Sequence, residues 1–600
     1  MARYTMQLFG ITIFALALIW FTGSGEAIQS SHNNEPVLWA DTVHINLEKA
    51  SGDQQQPIKS NRDTFLKDIK KLTQTAFDIK NQYMEDVDTR EIIKAGIRGM
   101  LSNLDRYSVL MEKSSYDALM ETTHGKYEGL GMQIDARGNH IIIIAPIEGT
   151  PAYRKGLRAG DVIWEINGKS TEDMSSADAS KLMRGKAGTS VTLGIKRAGI
   201  DDMLEFTVER AVIELKSVNY YGLVPGTHVG YVRLSRFAEE TSHELRAAID
   251  SLNKLNITGL IFDLRSNGGG LLDQAKETAE LFLDKGDEIV YTKGKYENSE
   301  RHYKSERQPI YPSPKPLIIL VDGGTASASE IVSGAIQDWD RGLIVGSNTY
   351  GKGLVQQIFP ISNDGTMALK LTTAKYYVPS GRCIQKPDKE AKQNTNPHST
   401  VTKKEESDSL TVSKKIFYTN GGRIVYGGGG IIPDVEIKPE MWKPIEINLE
   451  RKQLFFDFAI KYVADHPDVK PDLKITDNIV KEFKTFIKEK KFDYKTSLQI
   501  ALEKLRKQVD KDGDSTVFKG VIDSMKVLVQ KEKENDFNDS QDYIRRTIKR
   551  NIVSAIAGER GVYQQIILKT DKGVQKAISI FNAPHKYTEL LSKGQKKAEL

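Results

Sequence analysis

The sequence predicts a multidomain α/β protein, in which an α/β core is accompanied by a β-rich module and by helical regions. Three observations support this prediction. The chain has 600 residues, more than the roughly 100 to 200 that one hydrophobic core usually organises. Buried-strand runs alternate with helical patterns between Ile213 and Ile437, which is typical of α/β folds. Apolar residues recur at three- and four-residue steps near both ends, which indicates helices.

Residues 1–27 have the pattern of an export signal. Arg3 precedes an apolar run, Leu8 to Phe21, and the small-residue segment Thr22 to Ala27 follows. The run is shorter than the roughly 20 residues needed to span a bilayer comfortably, which favours a signal peptide over a retained membrane anchor. Residues 28–60 are polar without a periodic apolar face, so we predict a linker there.

Residues 61–124 are predicted to be helical, because Phe65, Ile69 and Leu72 recur at helical spacing. Residues 125–212 contain short β-like runs separated by Gly and Pro, which predicts a small β-rich module. These runs are His140 to Ala145, Val162 to Ile166, Val191 to Lys196 and Leu204 to Val208.

Residues 213–442 form the predicted α/β core, in which the buried strand Leu317 to Val321 precedes the helical pattern Ala328 to Trp339. Residues 386–413 contain almost no apolar side chains, so we predict a mobile hydrophilic surface insertion. Residues 443–600 are predicted to form a helical domain. We interpret its apolar stripes as core packing; they are Leu498, Ala501, Leu502 and Leu505, then Phe518, Ile522, Met525 and Val529, and then Ile544, Ile548, Ile552 and Ile556.

Composition limits the possible functions. The formal net charge is only +5, and the basic residues of the last quarter alternate with acidic ones, which indicates a solvated helical surface and not a nucleic-acid site. Cys383 is the only cysteine, so an intramolecular disulfide is excluded and no metal-ligand spacing occurs. No cluster of metal ligands appears, and the motifs described below need no cofactor, so we expect neither a metal nor an organic cofactor.

Ser327 lies in the segment Asp322 to Ile331, between a buried strand and a helix. Such a turn can expose a hydroxyl, while the unpaired amides of the helix start, Ala328 among them, face a developing negative charge. A serine at this position is also the usual helix cap. The position alone therefore leaves a nucleophile and a cap as alternatives.

Lys352 stands between Gly351 and Gly353, shortly after the strand Leu343 to Val345. Burial of a lysine disfavours its charged form and lowers its pKa, which suits a general base. A solvated loop lysine is the alternative. A third loop, Arg265 to Gly270, also follows a buried strand, and its glycines can expose amides for an oxyanion hole; a flexible turn would have the same composition.

These three motifs, in this order, resemble the C-terminal processing proteases, also called tail-specific proteases, a family of serine peptidases. Ser327 and Lys352 stand twenty-five residues apart, the interval that this family places between its serine and lysine. The resemblance implies that Gln356 orients Lys352 and that Glu330 has a supporting role. It also implies that Asn267, Gly268 and Gly269 belong to the oxyanion and substrate-backbone loop, together with the amide of Ala328.

The resemblance extends from about Asn61 to Ile437. Leu104 to Ser108 looks like the family's approach to its PDZ domain, and Gly430 to Asp434 like the end of its core. The module at 125–212 resembles a bacterial PDZ domain, which implies that the loop of Gly129, Leu130, Gly131 and Met132 captures a terminal carboxylate. A packing or gating module without a ligand is the alternative.

The resemblance implies an exported endopeptidase, located in the periplasm and possibly held at the inner membrane, that acts on proteins with unfolded, apolar C-termini. The C-terminal helical domain is a candidate contact for an adaptor or for another copy of the chain. The main alternative is a non-catalytic PDZ scaffold. Gly346 to Lys352 also matches most of a P-loop, but Gly353 replaces the Ser or Thr that would bind magnesium.

A calcium loop at Asp510 to Asp514 is not supported, because Ser515 and Val521 occupy the positions of its glycine and glutamate. A helix-capping turn is the interpretation we adopt there. A Ser-His-Asp hydrolase is weakly supported, since no G-x-S-x-G motif occurs.

Overall fold

The computed structural model describes residues 57–296, 299–362, 365–387, 415–513 and 515–592. The predicted export signal and residues 388–413 of the predicted insertion lie outside these ranges, as does all but the end of the predicted linker. Within the described ranges, no helix has both the length and the apolar character of a membrane span. The predicted α/β multidomain class is confirmed by the arrangement of the elements.

The N-terminal region is helical, as its periodicity predicts, but few of its apolar side chains are buried. Its elements are α1 (Pro57–Gln82), α2 (Thr89–Leu101), β1 (Val109–Glu112) and α3 (Lys113–His124). Asp88 caps α2 by accepting hydrogen bonds from the amides of Arg90 and Glu91. On α1, Phe65 and Phe77 remain 63% and 62% exposed. The helical prediction therefore holds, although this helix packs little of its apolar face within the described chain.

The β-rich module is a sheet with strand order β3-β4-β5-β7-β8, in which β6 pairs with β5. Strands β2 and β9 pair antiparallel where the module joins the rest of the chain. Ile141, Ile163 and Leu193 have no exposed surface and form its core. The elements are β2 (Lys126–Gly129), β3 (Met132–Arg137), β4 (His140–Pro146), α4 (Pro151–Arg154), β5 (Val162–Ile166), β6 (Lys169–Ser170), α5 (Ser176–Met183), β7 (Ser190–Lys196), β8 (Leu204–Glu209) and β9 (Ala211–Glu214).

The core contains a mostly parallel sheet with strand order β10-β11-β12-β15-β16-β21, and an antiparallel sheet in which β1, β17 and β13 pair with the long strand β18. Its elements are β10 (Val218–Leu223), β11 (Val229–Leu234), α6 (Thr241–Asn253), β12 (Gly259–Asp263), α7 (Leu272–Ala279), β13 (Glu288–Gly294), β14 (Arg301–Lys304), β15 (Leu317–Val321), α8 (Ala328–Asp338), β16 (Leu343–Gly346), β17 (Leu354–Pro360), β18 (Met367–Tyr377), β19 (Ile416–Tyr418), β20 (Ile424–Tyr426) and β21 (Val435–Glu436).

The parallel sheet is buried on both faces. Because successive side chains of a strand point to opposite faces, Leu317 and Ile319 pack with the helices of the core, whereas Ile318 and Leu320 pack against the C-terminal helices. This two-sided burial explains the continuous apolar run of β15.

The C-terminal region is helical, as predicted, but only part of it has a packed core. The third predicted stripe is buried, since Ile544, Ile548 and Ile552 have no exposed surface. The core interpretation is wrong for much of the other two stripes, because Leu498 and Phe518 are 51% and 44% exposed. The elements are α9 (Pro444–Arg451), α10 (Leu454–Asp465), α11 (Asp477–Glu489), α12 (Ser497–Asp512), α13 (Ser515–Asp539), α14 (Gln541–Val562), a π-helical turn (Tyr563–Ile567), α15 (Leu568–Thr570), α16 (Lys572–Phe581) and α17 (Pro584–Ser592).

The helix-capping interpretation of the segment after Asp510 is confirmed at Gly513. This glycine ends α12 with φ +82, a left-handed conformation typical of a helix C-terminus.

Candidate active site

Three loops at one edge of the parallel sheet form the candidate active site. Arg265 to Gly270 follows β12, Asp322 to Ser327 follows β15, and Ser347 to Gly353 follows β16. These strands are parallel neighbours, so their carboxyl ends meet at the same edge. This is the position at which open α/β sheets usually place their ligands.

Ser327 immediately precedes α8 and has a strained backbone, with φ +55 and ψ −118. Its amide donates to Glu330 Oε2 at 2.9 Å. The hydroxyl oxygen of Tyr376 lies 3.1 Å from the carbonyl oxygen of Ser327 and 2.5 Å from that of Lys352. Such strain in a non-glycine residue persists only where the surroundings enforce it, and it is concentrated at functional sites.

Glu330 connects the serine loop with the lysine loop. Its Oε2 accepts from the amides of Ser327 and Lys352, both at 2.9 Å. Its Oε1 accepts from the Thr349 hydroxyl at 2.5 Å and from the Gly351 amide at 2.7 Å. Burial raises the pKa of Glu330, while these four hydrogen bonds oppose the rise. The predicted supporting residue is thus placed to fix the relative position of both loops.

Lys352 is held by two neighbours. Its Nζ donates to Gln356 Oε1 at 2.9 Å and lies 5.0 Å from the centre of the Tyr107 ring. Gln356 Nε2 in turn donates to the carbonyl oxygen of Tyr107 at 2.7 Å. Burial, followed by the charge of Lys370, lowers the pKa of Lys352 to about 8. Among the described residues, no hydrogen bond joins Lys352 Nζ to Ser327 Oγ.

The glycine loop lies directly against Ser327. Gly269 has φ +95, and a Cβ there would lie 2.8 Å from both Ser327 Cβ and the Ala328 nitrogen. The amide of Gly269 donates to Asn267 Oδ1 at 2.9 Å, so it is already engaged. In the described part of the chain, the amides of Gly268 and Ala328 have no hydrogen-bond partner. These two amides are therefore available to donate to an oxyanion bound beside Ser327.

Asn267 organises this loop from a fully buried position. Its Nδ2 donates to the Leu234 carbonyl at 3.1 Å, and its own carbonyl accepts from the Ala326 amide and from the Ser329 hydroxyl, both at 2.9 Å. Asn267 therefore connects β11, the glycine loop and the start of α8.

The predicted peptide-binding loop of the β-rich module is tightly built. A Cβ at Gly131, which has φ +80, would lie 2.3 Å from Thr150 Cβ. The Leu130 carbonyl accepts from the Ala152 amide at 2.9 Å. Gly129 ends β2 and Met132 begins β3. Because β3 is at the edge of its sheet, an extended peptide could add beside it.

Sequence reasoning did not assign a role to Tyr107. Its segment, Leu104 to Ser108, resembles the family's approach to its PDZ domain, and this resemblance gives the tyrosine no role at the lysine. The aromatic ring comes from the N-terminal region and Lys352 from the core, so only the folded chain shows that they are neighbours.

Comparisons with known proteins identify four matching families along the chain. Residues 228–397 match peptidase family S41, and residues 142–197 match a PDZ domain. Residues 445–581 match the C-terminal helical domain of a probable PDZ-protease. Residues 30–115 match the N-terminal domain of the activating protease CtpB.

The relatives have the same family name. The carboxy-terminal-processing protease of Bartonella bacilliformis is 42% identical over 51% of this chain and 70% of its own length. Carboxy-terminal processing protease CtpA of Bacillus subtilis is 30% identical over 73% of this chain and 90% of its own. Among solved structures, a photosystem II D1 C-terminal processing protease is 29% identical with a TM-score of 0.34, covering 62% of this chain and 86% of its own. The predicted family is confirmed by the sequence relatives: this chain belongs to the carboxy-terminal processing proteases, serine peptidases of family S41.

Proposed function

We propose that this chain is an envelope endopeptidase that recognises the C-terminal tails of proteins through its PDZ domain and cleaves them with a Ser327/Lys352 dyad. The observation that carries the proposal is the buried Glu330 carboxylate, which accepts from the amides of both residues. A lysine with a pKa lowered to about 8 has a substantial neutral fraction near physiological pH, as a general base requires.

In the proposed reaction, the neutral Nζ of Lys352 takes the proton of the Ser327 hydroxyl while Oγ bonds to the scissile carbonyl carbon. The Ala328 and Gly268 amides donate to the resulting oxyanion. The C–N bond then breaks, and the Lys352 ammonium gives its proton to the leaving amine. Water hydrolyses the acyl-enzyme ester, with Lys352 again as the base. Gln356 accepts from one N–H of Lys352 and so orients the lone pair.

Location and partners form the rest of the proposal. The apolar run Leu8 to Phe21 supports export to the periplasm by a signal peptide or an anchor. The edge strand β3 supports strand addition by an unfolded, apolar tail. The exposed apolar side chains of α12 and α13 support contact of the C-terminal helical domain with an adaptor or a second copy.

The test compares the parent chain with Ser327→Ala and Lys352→Ala on an unfolded reporter protein, with and without an apolar C-terminal tail. We expect tail-dependent cleavage by the parent and none by either variant. Turnover by Lys352→Ala equal to that of the parent would exclude the dyad. Tail binding without cleavage by the parent would favour the non-catalytic scaffold.

A further inference from the structure

Tyr107, in the segment between α2 and β1, acts on Lys352 in two ways. Its ring centre lies 5.0 Å from Lys352 Nζ, within the range of a cation–π interaction. Its carbonyl oxygen accepts from Gln356 Nε2 at 2.7 Å, and the other end of this amide accepts from Lys352 Nζ at 2.9 Å. The ring acts on the lysine directly, and the carbonyl acts through Gln356.

Asp105 fixes the segment that carries Tyr107. Its Oδ1 accepts from the amides of Tyr107 and Ser108, at 2.8 and 3.0 Å, and its Oδ2 accepts from the Ser108 hydroxyl at 2.9 Å. Thr372 on β18 donates two hydrogen bonds to this segment. Its hydroxyl donates to Asp105 Oδ1, and its amide donates to Ser108 Oγ. Since Thr372 is the register partner of Gln356, the segment is anchored to the strand pair that carries the glutamine.

A second cation and a second phenol complete the cluster. The Arg106 guanidinium carbon lies 4.8 Å from the Tyr107 ring centre, and its Nη2 donates to the hydroxyls of Tyr107 and Tyr350. The charged groups that act on Lys352 come from several elements; they are Asp105 and Arg106 on this segment, Glu330 on α8 and Lys370 on β18. Lys386 interacts electrostatically with Glu330 and Arg106.

We propose that Tyr107 is a positioning residue of the peptidase reaction, whose ring stabilises the Lys352 ammonium and whose carbonyl holds Gln356 in place. This inference rests on the proposed Ser327/Lys352 dyad. An aromatic face attracts a cation and has no comparable attraction for a neutral amine. The ring therefore favours the state in which Lys352 has taken the serine proton, and it makes the lysine a stronger base.

The test is the pH dependence of kcat/KM for Tyr107→Leu and Tyr107→Phe in the full chain, with an unfolded reporter protein. Leucine removes the π face, so we expect the midpoint to move to lower pH by about half a unit and the plateau to fall severalfold. Phenylalanine keeps the ring and the backbone carbonyl, so its midpoint should remain that of the parent. Tyr107→Met also fills the space without a π face, so we expect the same shift to lower pH. It replaces the leucine variant if leucine impairs folding.

A second measurement does not depend on activity. Competitive acetylation at a series of pH values, with Lys352 quantified by peptide mass spectrometry, reports the protonation of this amine in each variant. An unchanged Lys352 midpoint in both the leucine and methionine variants would overturn the proposal, as would an equal shift in the phenylalanine variant. If Lys352→Ala cleaves like the parent, the dyad itself is wrong; if it is inactive while Tyr107→Leu titrates normally, only the role of Tyr107 is wrong.

Discussion

Glu330 illustrates how one buried side chain can connect the loop of Ser327 with the loop of Lys352. Its carboxylate is the acceptor in all four of its hydrogen bonds, two on each oxygen. Both oxygens are therefore required as acceptors. Replacement by glutamine would turn an NH₂ group toward two of these donors. A buried polar group left unsatisfied costs about 1–3 kcal/mol.

We therefore expect Glu330→Gln to lower kcat/KM by about 10- to 100-fold, because the lost hydrogen bonds no longer fix the loop of Ser327 relative to the loop of Lys352. Steady-state kinetics and thermal unfolding measure the effect. Ser333→Ala on the same helix removes hydroxyl contacts with the backbone carbonyls of Ser329 and Glu330 and leaves the Glu330 carboxylate in place, so it serves as the control. Parent-like kinetics and stability for Glu330→Gln would contradict the loop-joining role.

If Lys352 is the base, as proposed, its pKa sets the pH dependence of the reaction. Its pKa is lowered to about 8, first by burial and next by the charge of Lys370. A base acts in its deprotonated form, so kcat/KM should rise with pH, pass its midpoint near pH 8 and level off above it. The rate should therefore be lost as the pH falls through the pKa.

Lys370→Met tests the second cause of this shift. Removal of a neighbouring positive charge makes the Lys352 ammonium less unfavourable, so its pKa should rise and the midpoint of kcat/KM should move to higher pH. Lys375→Met replaces an exposed lysine of the same strand and should leave the midpoint in place. A midpoint that moves to lower pH in Lys370→Met would show that the charge of Lys370 does not act in this way.

At the scale of elements, the start of α16 links the glycine loop, Arg265 to Gly270, to the C-terminal region. Asp571 caps α16 by accepting from the Val574 amide at 2.9 Å. The same carboxylate accepts from Arg265 Nη1 at 3.0 and 2.9 Å. Because Arg265 begins the loop that holds Gly268 and Gly269, the helix cap and the proposed oxyanion loop depend on one side chain.

Asp571→Ala should therefore reduce both stability and turnover. Loss of the cap costs about 1 kcal/mol, and loss of the ion pair leaves Arg265 held, among the described residues, by Asp263 alone. Asp571→Asn keeps an oxygen for the cap, so it should retain more stability than the alanine variant. Differential scanning calorimetry and kcat/KM distinguish these variants, with the exposed Asp468→Ala as the control. Equal stability of Asp571→Ala and Asp571→Asn would mean that the cap contributes nothing.

Sequence patterns predicted the buried strand of the core but not the exposure of the C-terminal helices. The buried strand of Leu317 to Val321 was predictable, because a run of apolar residues on a parallel strand requires cover on both faces. The exposure of Leu498 and Phe518 was not, since an amphipathic stripe indicates a helix without specifying what covers it. The Asn267 bond to the Gly269 amide was also beyond prediction, because it depends on the loop conformation.

At the scale of the whole molecule, the PDZ domain is docked on the C-terminal helical domain. Arg137 Nη1 lies 2.8 Å from Asp457 Oδ1, and the guanidinium carbon lies 4.4 Å from the Phe456 ring centre. A Cβ at Gly160 would lie 2.5 Å from Ile460 Cγ2, so the two surfaces pack closely. Arg137 ends β3, the strand beside which we propose that the substrate tail binds.

The charge swap of this contact tests the docking. Asp457→Arg would place two guanidinium groups together, so we expect the β3 amides and the contact face of α10 to exchange hydrogen faster. Arg137→Asp combined with Asp457→Arg should restore protection, with a coupling energy of about 1 kcal/mol for this partly buried pair. Glu205→Arg, at an exposed position on β8, controls for the added charge. If the double variant exchanges as fast as Asp457→Arg, the ion pair does not hold the domains together, and the docking depends on the apolar packing at Gly160.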